Sequence, residues 1–98
     1  MKIGPYEYAI VLSQEAVQRE GDDRGDSLIA YTDLTTQTIY IDHTLEGMRR
    51  NVIFWHEFIH AALDAAGYHI LGEAEEERLC TALAPIFAGA FPTSWHEA

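Results

Sequence analysis

Residues 51–69, NVIFWHEFIHAALDAAGYH, set His56, Glu57, His60 and Asp64 into an otherwise apolar run. Two histidines four apart lie one turn from each other on the same face of an α-helix, so their imidazoles can converge on one metal ion. Zn²⁺ takes imidazole nitrogen at about 2.0–2.1 Å, and a catalytic site keeps one position for water. The ion lowers the pKa of that water from about 15.7 towards about 7, so a modest base beside it can make hydroxide. His-Glu-x-x-His at this spacing points to metal-assisted hydrolysis, with His56 and His60 as ligands and Glu57 as general base.

At about 100° per residue, the four polar side chains fall in one stripe roughly 100° wide. The rest of the run from Val52 to Ala66 is apolar. The plain alternative is that the stripe is the solvent face of a deeply packed helix. A surface helix gives water a much wider polar face than this, so the stripe is expected to face a confined space.

Two histidines do not complete a catalytic zinc site. The extended pattern HExxHxxGxxH needs glycine and histidine where this chain has Leu63 and Ala66, so that class is excluded. Asp64 lies about 12 Å along the axis from His56, too far to share the ion on a straight helix. It is expected to orient an imidazole or to be an exposed acid. The better source is GEAEEERLCTAL, read as part of a second helix packed antiparallel to the first. Glu76 precedes Leu79, Cys80 and Leu83 by three, four and seven residues and so shares their apolar face. Glu76 is the expected third ligand, Glu77 the next candidate, and Glu73 lies one turn earlier.

The elements that must position these groups follow from local pattern. YEYAIVL (Tyr6–Leu12) reads as a strand, and SQEAVQRE as one or two helical turns. GDDRGDS (Gly21–Ser27) reads as an exposed loop, its Arg-Gly-Asp included. Leu28–Thr32 and Thr38–Asp42 are expected to pair as an antiparallel hairpin, with Ile39 and Ile41 on one face. Thr44 is a candidate N-cap for a helix from Leu45 to about Ala66, which Gly67 would end. The last helix should start near Gly72 and kink or restart at Pro85. His43, His69, Tyr31, Tyr40 and Tyr68 are candidates to steady an oxyanion, and His96 falls in the tail.

Composition narrows the possibilities. With 98 residues the chain is expected to be one domain, and 48% hydrophobic residues favour a folded core over disorder. A net charge of −10 with only six Lys and Arg argues against nucleic acid and against an acidic membrane surface. The single Cys80 rules out an internal disulfide and fits a reducing compartment. MKIGPYEYAIVL has no secretory pattern, and no apolar run reaches spanning length, so the expected location is the cytoplasm.

TQTIYID before the motif, RRNVIFWHEFIHAALDAAGY over it and EAEEERLCTALAPIF after it together resemble the ImmA/IrrE-type metallopeptidases, especially short phage-encoded members. The resemblance covers roughly residues 28 to 90. It implies a minimal zincin-like α+β domain with His56 and His60 as zinc ligands, Glu57 as general base and a glutamate of the later helix as third ligand. It also implies work inside a bacterial cell on a protein or peptide, a regulatory protein among the candidates. The segment Leu79-Cys80-Thr81-Ala82-Leu83 departs from the commoner Ala-Asn-x-Phe-Ala ending of that family.

The expectation is thus a small α+β zinc metallopeptidase in which a three-stranded antiparallel sheet covers the HExxH helix, beside a C-terminal helix. TIYID is its candidate edge strand for an extended peptide, by analogy with zincins. The rival readings are a non-catalytic module whose zinc staples a small core and a metal-free interaction protein.

Overall fold

The computed structural model describes residues 1–91, so His96 lies outside the described residues. Lys2–Ile3 (β1) and Tyr6–Glu7 (β2) pair antiparallel around Gly4-Pro5. Ala9–Leu12 (β3), Gln14–Arg24 (α1), Ala30–Asp33 (β4), Thr38–Ile41 (β5), Gly47–Ala65 (α2) and Glu73–Ala90 (α3) follow. The strand expected over Tyr6–Leu12 is broken at Tyr8, whose ring is buried and whose N–H donates to the Met1 carbonyl at 2.8 Å.

The larger sheet has the order β3-β5-β4, and it is mixed. β4 and β5 form the expected antiparallel hairpin, but β3 runs parallel to β5, with Ala9 opposite Thr38 and Leu12 opposite Ile41. The all-antiparallel sheet is thereby corrected. Parallel neighbours need a crossover: α1 carries the chain from the end of β3 to the start of β4, both beside Ile41, and β4 itself brings it back to the start of β5. A second correction concerns TIYID: it is the central strand, paired on both sides, and the edges are β3 and β4. Ile39 and Ile41 are fully buried on one face, and Tyr40 stacks on Tyr31 at 4.7 Å between ring centroids.

α1 is longer than one or two turns and absorbs Gly21 to Arg24, which read as loop. Ser13 caps it by accepting from the Ala16 N–H at 3.1 Å, and Gly25 closes it in the left-handed region at φ 69. The ion pairs Glu15–Arg19 and Glu20–Arg24 both put the acid four residues before the arginine, the favourable order on a helix. Gly21 is buried because the chain folds back over it: a Cβ there would stand 2.7 Å from the Asp26 carbonyl oxygen. Alanine gains about 0.5–1 kcal/mol over glycine inside a helix, while forcing a methyl into a packed site costs about 1–3 kcal/mol. Gly21→Ala is therefore expected to lower the Tm. Gly89→Ala, whose added Cβ meets nothing within 4 Å, is expected to raise it slightly in the same thermal unfolding measurement.

The turn into α2 is built by side chains. Asp42 Oδ1 accepts from the Thr44 N–H at 2.9 Å and from its hydroxyl at 2.7 Å, so Thr44 stabilises the turn instead of capping the helix. Arg50 donates to the carbonyls of Leu45, at 2.7 Å, and His43, at 3.1 Å. The helix itself begins at Gly47, two residues later than expected. It ends as expected, with Gly67 at φ 70 and the Tyr68 N–H donating to the Leu63 carbonyl at 2.9 Å. α3 continues through Pro85 without restarting.

Among the described residues, three helices and two small sheets make an α+β fold whose core lies between the larger sheet, α2 and α3. Phe54, Trp55, Ile59 and Ala61 of α2 are buried, and Trp55 packs edge-on against Phe54, Phe58 and Phe87. Burying a large apolar side chain is worth about 1.5–3 kcal/mol, so these residues fix the rotation of α2 and thereby the direction of its polar stripe. From α3, the small Cys80, Ala84 and Ala88 are fully buried. Among the described residues no helix is long and apolar enough to cross a membrane.

Candidate metal centre

His56 and His60 share one face of α2, with ring centroids 5.1 Å apart. α3 brings a carboxylate to both. Glu77 Oε1 lies 2.6 Å from His56 Nε2, and its Oε2 lies 3.0 Å from His60 Nε2. One donor atom from each of His56, His60 and Glu77 falls within 4.8 Å of the others. Two imidazole nitrogens and one carboxylate oxygen are the donor types that catalytic zinc sites use beside a bound water. The residues present therefore fit the ion that the motif implies.

Glu76, the expected third ligand, stands elsewhere. Its Oε2 is 2.7 Å from His60 Nδ1, on the far side of the ring from Glu77. The expectation took Leu79, Cys80 and Leu83 together as the inward face of α3. The two leucines are only partly buried, whereas Cys80 and Ala84 are completely buried. Small side chains let two helices approach closely, so they and not the leucines mark the contact. Glu77 precedes them by three and seven residues and shares their face. Glu76 is instead placed to orient His60: a carboxylate accepting from Nδ1–H fixes the tautomer that leaves Nε2 free to ligate. Glu73 lines the same cleft but is outside the three-residue group.

Glu57 lines this cleft, and its Oε1 accepts from the Thr32 hydroxyl at 2.8 Å. Burial raises its pKa, against the Thr32 hydrogen bond and the nearby His60 and His56, which lower it. The cleft, about 700 Å³, is walled by Leu28 and Ile29 and the strand β4 that follows them, by α2 and by the start of α3. Of the oxyanion candidates, Tyr31 and His69 line it, whereas Tyr40 and Tyr68 do not. His43 Nδ1 instead accepts from the Gln14 N–H at 3.3 Å. Asp64 also lines the cleft and lies 3.8 Å from His69 Nε2, so it does not orient either motif histidine. Cys80 is buried below the acids, and its thiol is pushed up to about 12 by burial and by Glu77, Glu76 and Glu57. It is a packing residue and stays protonated.

Thr32 was not singled out by the sequence. The signal for it is a hydroxyl on the inward face of a strand, a place where valine would pack as well.

For His60, burial opposes the charged ring, but the Glu76 hydrogen bond and the charges of Glu57, Glu77 and Glu76 together raise its pKa above the usual 6.5. Glu57 is likewise raised above the usual 4.5. Both groups hold a proton more tightly in the folded chain. The stability this confers is complete below the unfolded values and is lost as pH rises through the folded ones. The metal-free chain should accordingly become less stable to denaturant as pH rises from about 5 to about 8, with a smaller fall in His60→Gln. Zinc affinity should rise over the same interval, because the ion needs the Nε2 site deprotonated. A metal-free chain whose stability is flat or rising over this window would contradict that assignment.

Protein-family models, curated proteins and solved structures were all searched, and none matches this chain.

Proposed function

We propose that the chain is a metal-dependent hydrolase of peptide bonds. Within that class we read it as a small zinc metallopeptidase of the ImmA/IrrE type, acting on an intracellular protein in a bacterial cell. The observation that carries the reading is the convergence of His56 and His60 Nε2 with the Glu77 carboxylate, one helical position from the half-buried Glu57.

Held by His56, His60 and Glu77, Zn²⁺ would supply a Lewis acid that makes water acidic and polarises a carbonyl. Glu76 keeps the His60 ring turned with Nε2 towards the centre. Glu57 takes a proton from water and later returns it to the leaving amine. Leu28, Ile29 and Ile53 give the same cleft an apolar lining beside the acids. β4 is an edge strand along this cleft, so an extended peptide could pair with it by β-augmentation, the role first expected of TIYID. The excess of Glu and Asp around the centre favours a cation there and disfavours a nucleic-acid partner.

The reading is tested by metal content and turnover together. Plasma mass spectrometry of untagged protein should find about one zinc per chain. Cleavage of a peptide library should disappear on chelation and return with zinc. Zinc without cleavage of any peptide or protein would instead indicate a module stapled by its ion. No bound metal after zinc is added back would leave the polar stripe as surface.

A further inference from the structure

The strand beside the base contributes one more residue to the chemistry. Side chains alternate along β4: Ala30 is buried, Tyr31 stacks on Tyr40, and Thr32 returns to the side of Ala30, facing α2. Thr32 is in register with Ile39, whose side chain is fully buried. Valine would fill this position with the same volume, and a hydroxyl brought to an apolar face is costly unless it is paired. Here it is paired. Oγ1 lies 2.8 Å from Glu57 Oε1 and 3.3 Å from the Glu57 backbone oxygen. A hydroxyl has one proton to give, and the shorter contact, to a charged acceptor, takes it.

We propose that Thr32 is a positioning residue for peptide hydrolysis: it anchors Oε1 of Glu57 and so reserves Oε2 as the oxygen that moves the proton. This rests on the peptidase reading above. In the forward step a proton passes from water to Oε2 while the water oxygen bonds to the scissile carbonyl carbon. The C–N bond then breaks, the proton on Oε2 passes to the amine nitrogen, and the carboxylate is restored. A carboxylate free to rotate would present either oxygen at varying distance, whereas proton transfer needs hydrogen-bond reach in one direction. Because Thr32 belongs to the edge strand of the cleft, a peptide paired with β4 lies against the strand that aims the base.

Thr32→Val and Thr32→Ser decide the matter. The proposal expects kcat of the valine variant to fall about 10-fold or more, the weight of one hydrogen bond to a charged group, with KM within about twofold. The serine variant should keep most of the activity, and zinc content should be unchanged in both. A packing role predicts the reverse order, since valine keeps both branches and serine loses one. Thermal unfolding of the metal-free chain gives a readout independent of turnover. Thr32→Val should lower the Tm when Glu57 is present and should not do so in a Glu57→Leu background. Equal shifts in the two backgrounds, or a valine variant with wild-type kcat, would overturn the role of Thr32 while leaving the peptidase intact. A wild-type chain that holds zinc but cleaves nothing would overturn the peptidase reading, and the role of Thr32 with it.

Discussion

Glu57→Gln is expected to keep about one zinc per chain and to lose about 10²–10⁴-fold in kcat, the usual weight of a positioned general base. The substitution preserves shape and leaves a carbonyl oxygen to accept from Thr32, so the 2.8 Å contact and the packing of α2 can survive it. What it removes is the ability to take a proton. The environment of the wild-type group suits that task. Burial raises its pKa above 4.5, which makes the carboxylate a stronger base, while the Thr32 hydrogen bond and the two histidines keep the charged form accessible. A Gln variant that turns over like wild type would remove Glu57 from the mechanism. A variant that loses its zinc would mean that Glu57 is structural, because the ion is expected to rest on His56, His60 and Glu77.

The parts of this centre that lie within one helix were legible in the sequence. His56, Glu57 and His60 are fixed relative to one another by helical geometry alone, and the apolar residues around them announce which way the helix packs. Relations between elements were harder. The hairpin of β4 and β5 could be read, because a short polar centre between two β-rich runs dictates antiparallel pairing. The place of β3 could not, because parallel pairing depends on the length and course of α1, and α1 hid inside a charged Gly-Asp-rich segment. Its helix is held by two i,i+4 ion pairs and by Gly21, whose missing side chain lets Asp26 fold back. The strand order then makes β4 the edge next to the cleft and leaves TIYID in the middle of the sheet. The acid that meets both histidines, Glu77, is one residue from the acid expected there, for a related reason. Large leucines dominate a periodicity argument, yet the positions that α3 buries completely include the small Cys80 and Ala84.

That one-residue displacement gives Glu77 and Glu76 opposite expected behaviour. Glu77→Ala removes a ligand and should weaken zinc on the order of 100-fold or more, taking one ligand's share of a binding energy of about 10–16 kcal/mol for a four-ligand site. In the metal-free chain the same change should matter little, because the Glu77 side chain is 56% exposed and its ion pairs are screened. Glu76 meets His60 at its far nitrogen. Losing such an orienting partner costs about 10–100-fold in affinity. Glu76→Gln, which can still accept from Nδ1–H, belongs at the lower end of that range, and Glu76→Leu at the upper end. Competition titration against a chelator of known affinity separates the cases. The shift in Tm on adding zinc gives a second reading, since an ion present at about 1,000 times its Kd stabilises by about 4 kcal/mol. The zinc-dependent rise should shrink sharply in Glu77→Ala and only modestly in Glu76→Gln. If the two acids exchange these outcomes, α3 is rotated by about 100° from the orientation described, and Glu76 is the ligand after all.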